Sequence, residues 1–172
     1  MNYYTAVEEV LEGFASIPML DPHTHLVGGK LGARGLHDIL LYHMVVSDLY
    51  GAGCPSGSRL TQYPGFPDKE EAHARLREAI PYFRHTRNTS MSWGIRIILA
   101  DLYDWHEDVS EDNWPKLDAL IRERADDKAW QRSIIKRTGI QRICTEYARR
   151  EADADGNLPD SDMLQYSLEW AF

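Results

Sequence analysis

The sequence predicts an α/β fold in which short strands are separated by a large helical region. The apolar run around residues 17–21 is typical of a strand, and so are the segments 140–145 and 163–172. Between the first two strands, apolar residues recur at helical spacing. Strands joined by long helical connections favour parallel pairing over hairpins, so we expect a parallel sheet.

Length and composition indicate a single globular unit over residues 1–172. Hydrophobic residues make up 43% of the chain and charged residues 27%, which are globular values. The net charge of −8 argues against a nucleic-acid partner, because phosphate binding needs a basic surface. The chain has only two cysteines and neither a leader-like segment nor a long apolar run. These features predict a cytoplasmic protein without a membrane partner.

The first elements are a helix and a strand. Residues 3–15 place apolar side chains at helical spacing, and the strand at 17–21 follows directly. A glycine-rich loop over residues 27–35 then leaves the strand end. We expect a site at this point, because functional loops of α/β folds follow the carboxyl ends of strands.

A helical insertion is predicted over residues 36–138, before the second strand. One helix spans 36–50, and a glycine- and proline-rich loop follows it over 51–67. Three more helices are expected. The first is capped by Asp68 and should be kinked or broken by Pro81. The second is capped by Thr89 or Ser90 and turns five apolar residues inward, which are Trp93, Ile97, Ile98, Leu102 and Trp105. The third runs from Asn113 to Arg137 and ends at Gly139.

His23 and His25 form the strongest candidate for a metal site. In an extended chain, residues i and i+2 lie on the same side, so both imidazoles can face one point. Neutral imidazoles bind divalent transition metals. We expect Asp21 to orient the strand end or a histidine. The alternative is an incidental pair of hydrogen-bonding histidines, and the spacing alone leaves it open.

Candidate substrate-binding residues are Arg84, Arg87 and His43. Arg84 and Arg87 flank His85 in a small basic cluster, which either stabilises a helix C-terminus or binds a substrate carboxylate. His43 lies on or beside the apolar face of helix 36–50. It is either a hydrogen-bonded core histidine or a residue that lines a pocket.

The motif Asp21-x-His23-x-His25 after a short strand resembles the first-strand motif of the amidohydrolase superfamily. Within that superfamily, the segments 40–43, 51–53, 138–145 and 166–170 are similar to the uronate (glucuronate) isomerase branch. The resemblance implies the N-terminal part of a metal-dependent (β/α)8 TIM-like barrel with a helical insertion after strand 1. It also implies that His23 and His25 bind a divalent metal, expected to be zinc, at the barrel mouth.

The resemblance further implies a metal-dependent isomerase acting on a sugar acid, or a related hydrolase. A full barrel has eight strands and about 250 residues, so the remaining ligands and the acid/base would come from further chain. The expected partners are a small-molecule substrate and either copies of this chain or the remainder of the same polypeptide. The alternative is a non-catalytic helical interaction module, or an inactive fragment, with an incidental His-x-His.

Overall fold

A computed structural model describes residues 3–24, 32–60, 68–146 and 164–167. These ranges are mostly helical and contain three short strands. The elements in chain order are α1 (Tyr3–Ala15), β1 (Met19–Thr24), α2 (Leu36–Leu40), α3 (His43–Gly51), α4 (Gly57–Leu60), α5 (Lys69–Phe83), α6 (Ser90–Tyr103), α7 (Trp114–Ala125), α8 (Lys128–Thr138), β2 (Ile140–Glu146) and β3 (Leu164–Ser167).

The chain divides into two compact units. The first unit comprises Met1–Leu31 together with Ala129–Phe172, and the second comprises Gly32–Lys128. The first unit holds all three described strands, which pair in parallel in the order β1-β2-β3. Each of the three predicted strand segments contains a strand, although β1 begins two residues later than predicted and includes His23. Of the third segment, predicted over residues 163–172, only residues 164–167 belong to the described ranges, and they form β3.

The prediction of a (β/α)8 TIM-like barrel is wrong. The described chain is mostly helical, and its three short strands form an open sheet in which β1 and β3 each have one paired neighbour. A barrel requires each strand to pair on both sides around a closed ring. The helices of the second unit bury a core of their own, so the fold is that of a small helical domain.

The core of the second unit is built mainly from leucine side chains. The most deeply buried members come from five different helices, and they are Leu36, Leu40, Leu49, Leu76, Leu99, Leu117 and Ile121. Each helix contributes residues spaced three or four apart, which places them on one face. This core fixes the positions of the polar side chains that the same helices carry.

The predicted helix 36–50 is two helices. Tyr42 has an extended backbone (φ −61°, ψ 140°) and separates α2 from α3. Leu41, directly before it, is buried. A straight helix cannot place every residue of this long apolar run on one face, and the turn at Tyr42 allows both helices to bury their apolar sides.

The predicted helix 113–137 is also two helices. The chain turns at Asp126 and Asp127, where the Asp127 amide donates to the Arg124 carbonyl and the Asp127 carboxylate pairs with the Arg124 guanidinium at 3.3 Å. Aspartate favours such turns over helix interiors because its side chain competes for nearby backbone groups. Gly139, with φ 69°, follows the end of α8 as predicted.

Two predicted helix caps are confirmed, whereas the cap at Asn113 is not. The side chains of Asp68 and Thr89 accept hydrogen bonds from the amides of Glu71 and Ser92. The Asn113 side chain makes no cap bond to α7, although the Asn113 carbonyl accepts from the Leu117 amide. Helix α5 continues through Pro81 to Phe83, so of the two predicted effects of the proline, a kink or a break, the break is wrong.

The predicted inward face of α6 is wrong in part. Trp93, Ile97 and Ile98 are exposed, whereas Trp105, just after the helix, is buried as predicted and Leu102 is half-buried. The buried side chains of α6 itself are Ile95, Leu99 and Tyr103. The apolar residues of α6 lie on more than one side of the helix, so the sequence pattern did not distinguish its buried face from its exposed one.

Candidate functional site

The His-x-His motif begins at the carboxyl end of β1. His23 is the last residue but one of this strand, and the next residue, Thr24, pairs with Thr145 of β2. Glu146 ends β2 and pairs with Ser167, the last residue of β3. The carboxyl ends of three parallel strands therefore meet at one edge, the position at which α/β proteins hold their ligands.

Of the two predicted metal ligands, the backbone places His23 at this edge, and His25 lies outside the described residues. Within the described ranges, no three His, Cys, Asp or Glu side chains are arranged to hold a metal ion. Imidazole donors suit zinc, but a catalytic zinc usually has three protein ligands. Ligation by His23 and His25 therefore stays a prediction and requires a third donor.

Arg84 and Arg87 line one cavity of about 180 Å³ in the second unit. Arg96 of α6 lines the same cavity. The other lining residues are the apolar side chains Ile80, Pro81, Phe83, Ile95, Leu99 and Val109 and the polar residues Ser92, Glu107, Asp108, Ser110 and Glu111. We call this feature the arginine cavity.

The arginines of this cavity differ in their partners. Arg87 pairs with Asp108 at 2.8 Å, and its carbonyl accepts a hydrogen bond from Arg96 at 3.1 Å. Arg84 donates through Nε to the ring of His85 at 3.0 Å. Within the described ranges, neither Arg84 nor Arg96 has a carboxylate partner. Their part in substrate binding stays a prediction.

Hydrogen bonds hold both walls of the arginine cavity. Thr86, which is buried, donates to the Phe83 carbonyl and shares a hydrogen bond of 2.9 Å with Ser92. In the opposite wall, the Asn113 side chain accepts from the Ser110 amide and donates to the Asp108 carbonyl. The loop between α6 and α7 is thus closed by Asn113, which explains why this residue does not cap α7.

His43 is not among the residues that line the arginine cavity. It is the first residue of α3, is exposed and packs its ring 4.2 Å from that of Tyr42. The interpretation of His43 as a core histidine is therefore wrong. Its predicted role in substrate binding stays a prediction.

Asp118 is the centre of a buried polar cluster that the sequence did not predict. It lies on α7 and accepts hydrogen bonds from the Leu36 amide at 2.8 Å, His73 Nε2 at 2.7 Å and Arg122 Nε at 2.7 Å. Its side chain is only 2% exposed. Burial acts to raise the pKa of Asp118, but the hydrogen bonds from Arg122, His73 and Leu36 outweigh it and hold the pKa below its usual value.

A second ion pair lies next to this cluster. Arg34 donates to both carboxylate oxygens of Asp38, at 2.7 and 2.9 Å, and its amide also donates to Asp38. Burial acts to raise the pKa of Asp38, and these bonds bring it below its usual value. Burial, reinforced by the charge of Asp38, raises the pKa of Tyr103 to about 12, so Tyr103 is neutral at physiological pH.

His37 completes this region. It is buried, and neither ring nitrogen has a hydrogen-bond partner among the residues that the structure describes. Its Nε2 lies 3.4 Å from a carboxylate oxygen of Asp38, without the geometry of a hydrogen bond. Burial lowers the pKa of His37, with Asp38 opposing the shift, so the ring is neutral at physiological pH.

The spacing of Asp118 and Arg122, four residues apart on a predicted helix, was the one local signal for the cluster. It indicates an ordinary helix-surface pair. His73 and Leu36 lie 45 and 82 residues away in sequence, so only the fold brings them to Asp118.

Comparisons with protein-family models, curated proteins and solved structures found no match to this chain. Among the helices of the described ranges, none combines the length and the apolar character that crossing a membrane requires.

Proposed function

We propose that this chain is a divalent-metal-dependent enzyme whose metal ligands include His23 and His25. The observation that carries the proposal is the parallel pairing of Thr24 with Thr145, which puts the backbone of His23, the first residue of the His-x-His motif, at the carboxyl edge of a sheet. A strand end presents successive side chains from a fixed backbone, and this suits a ligand pair separated by one residue.

Glu146 is the residue best suited by its position to supply the third ligand. It follows Thr145 directly and ends β2, so its backbone lies one position beyond the partner of Thr24. A carboxylate completes a set of two imidazoles in many catalytic zinc sites. Asp21 pairs with Ile143, farther from the edge, and keeps its expected orienting role.

The chemistry proposed for this edge is either isomerisation of a sugar acid or hydrolysis of a related small molecule. A bound divalent cation polarises a carbonyl oxygen or lowers the pKa of a bound water. The imidazoles of His23 and His25 would bind in their neutral form, so we expect metal affinity to fall in acidic solution, where protons compete for the imidazole nitrogens. The proposal depends on the motif and on the place of His23 in the sheet, and it requires no barrel.

The zinc content of the purified chain tests this proposal. We expect about one zinc ion per chain by elemental analysis, and loss of the metal in the double variant His23→Ala/His25→Ala. The double variant His85→Ala/His106→Ala is a matched control, because it removes two exposed histidines that lie elsewhere. Retention of zinc by the first variant, with an unchanged circular dichroism spectrum, would overturn the proposal.

A non-catalytic interaction module is the second candidate, and one observation favours it. The apolar side chains of α1 are exposed, with Leu11 61% and Phe14 67% accessible. Apolar side chains this exposed at helical spacing are typical of a surface that binds another protein. If α1 joins copies of this chain, Leu11→Glu/Phe14→Glu lowers the molar mass measured by light scattering and leaves the zinc content unchanged. An unchanged mass would count against this candidate.

A further inference from the structure

The arginine cavity holds a balanced set of charges that the metal site does not use. Its lining includes three arginines, Arg84, Arg87 and Arg96, and three acids, Glu107, Asp108 and Glu111. The pair Arg87–Asp108 neutralises one charge of each sign at 2.8 Å. Two cations and two carboxylates of the lining therefore remain without an ion-pair partner among the described residues.

The two unpaired arginines and the two unpaired glutamates lie on different walls of the cavity. Arg84 follows the end of α5 and Arg96 lies on α6, whereas Glu107 and Glu111 lie on the loop between α6 and α7. Glu107 accepts one long hydrogen bond of 3.4 Å from the side-chain amide of Asn113. A ligand with one charge of each sign can engage both walls, whereas a simple anion would also meet the two carboxylates.

The floor of the cavity is apolar. Ile80, Phe83, Ile95 and Leu99 are buried and line it, so the ligand needs an aliphatic or aromatic body besides its charged groups. The volume of about 180 Å³ limits the size of the ligand. Since a cavity of about 150 Å³ accepts benzene, a molecule of roughly six to ten non-hydrogen atoms fits.

We propose that the arginine cavity binds the zwitterion of a small apolar α-amino acid. The carboxylate is held by Arg84 and Arg96, the ammonium group by Glu107 and Glu111, and the aliphatic side chain lies on the floor. The hydrogen bonds of Thr86 and Asn113 fix both walls before binding, which lowers the entropic cost of association. The site lies wholly in the second unit and does not depend on the metal.

Isothermal titration of the full chain with three matched compounds tests the chemical class. L-Leucine carries both charges, 4-methylpentanoate lacks the ammonium group, and 3-methylbutylamine lacks the carboxylate. We expect saturable binding of L-leucine and at least roughly ten-fold weaker binding of the other two, because each loses its charge-assisted hydrogen bonds. Equal or tighter binding of 4-methylpentanoate would overturn the proposal, and so would the absence of L-leucine binding.

Matched variants test the assignment of residues. We expect Arg84→Met and Glu107→Gln each to raise the Kd for L-leucine about ten- to a hundred-fold. Arg77→Met and Glu78→Gln are the controls, because both residues are exposed on α5 and do not line the cavity. Unchanged affinity in Arg84→Met and Glu107→Gln, both of correct fold by circular dichroism, would overturn the assignment.

The variant His23→Ala/His25→Ala separates this proposal from that of the metal site. Binding of L-leucine should persist in it, since no residue of the arginine cavity belongs to the His-x-His motif. Loss of L-leucine binding together with the metal would contradict an independent amino-acid site.

Discussion

His73 Nε2 donates a hydrogen bond of 2.7 Å to the Asp118 carboxylate and thereby joins α5 to α7. The His73 ring also meets the ring of Trp114 edge-on, with 5.0 Å between centroids. Because Asp118 accepts from the Leu36 amide as well, a single carboxylate connects three helices. This arrangement leads to the first three predictions, which concern the stability of the second unit.

Replacing Asp118 by alanine should destabilise the second unit by about 3 kcal/mol. The change removes the acceptor of the Arg122 guanidinium and of the buried Leu36 amide. Leaving such donors unpaired inside a protein lowers the free energy of unfolding by about 3 kcal/mol. Hydrogen exchange of the α7 amides measures the effect in this unit alone. Asp112→Ala, an exposed change near the start of the same helix, should alter stability by less than about 0.5 kcal/mol. Equal effects of the two changes would show that the cluster contributes little.

Replacing Gly35 by alanine should destabilise the same unit by roughly 1–3 kcal/mol. A Cβ at this position would lie 2.9 Å from both Arg122 Nη2 and Asp118 Oδ1. The arginine tip can move, but the aspartate oxygen is held by the Leu36 amide at 2.8 Å. Gly94→Ala is the opposite control, because no described atom beyond the backbone of its own helix lies within 4 Å of its Cβ position. Alanine stabilises a helix interior by about 0.5–1 kcal/mol relative to glycine. A stabilising Gly35→Ala would contradict the crowded geometry.

The stability of the second unit should fall as the pH drops below the ordinary histidine value of 6.5. The pKa of His37 is lower in the folded chain, because burial disfavours the imidazolium, so the unfolded chain binds the proton more tightly. Stability is therefore lost between pH 6.5 and the lower folded pKa, with a slope of at most about 1.4 kcal/mol per pH unit.

Urea unfolding at a series of pH values measures this slope. His37→Gln should reduce it, whereas it should persist in His106→Gln, which removes an exposed histidine. Asp38, Arg34, Arg122 and Asp118 are the charged groups that act on His37, so the comparison is made at constant ionic strength. A slope that is the same with and without His37 would assign the pH dependence to another group.

The Cys54 thiol should react slowly with a thiol reagent in the folded protein. Cys54 is 1% exposed and its Sγ lies 3.9 Å from the Glu78 carbonyl, so the reagent reaches it only when the surrounding helices open. The measurement uses the variant Cys144→Ser, which has Cys54 as its single thiol. Labelling of the folded variant should be about a hundred-fold slower than labelling in urea, which corresponds to a free energy of local opening of about 2.7 kcal/mol. Labelling at the rate of the unfolded chain would show that this part of the core opens freely.

The sequence alone determined the elements whose signals are local. The caps at Asp68 and Thr89, the strand beginning at Ile140 and the glycine that ends α8 each depend on a few neighbouring residues. The side chain that caps a helix bonds to an amide two or three residues away, so tertiary contacts have little influence on it. The His-x-His motif is equally visible, but its use as a metal site remains a prediction.

The tertiary structure alone decided how the elements combine. Whether a sheet closes into a barrel depends on how many strands pair, and the local pattern around each strand carries no such information. The turn at Tyr42 and the buried faces of α6 likewise depend on what packs against each helix. The Asp118 cluster and the arginine cavity gather side chains from segments far apart in sequence, because a common core holds their helices together. Spacing could nominate Arg84 as an anion ligand, but only the fold places it in one cavity with Arg96, Glu107 and Glu111.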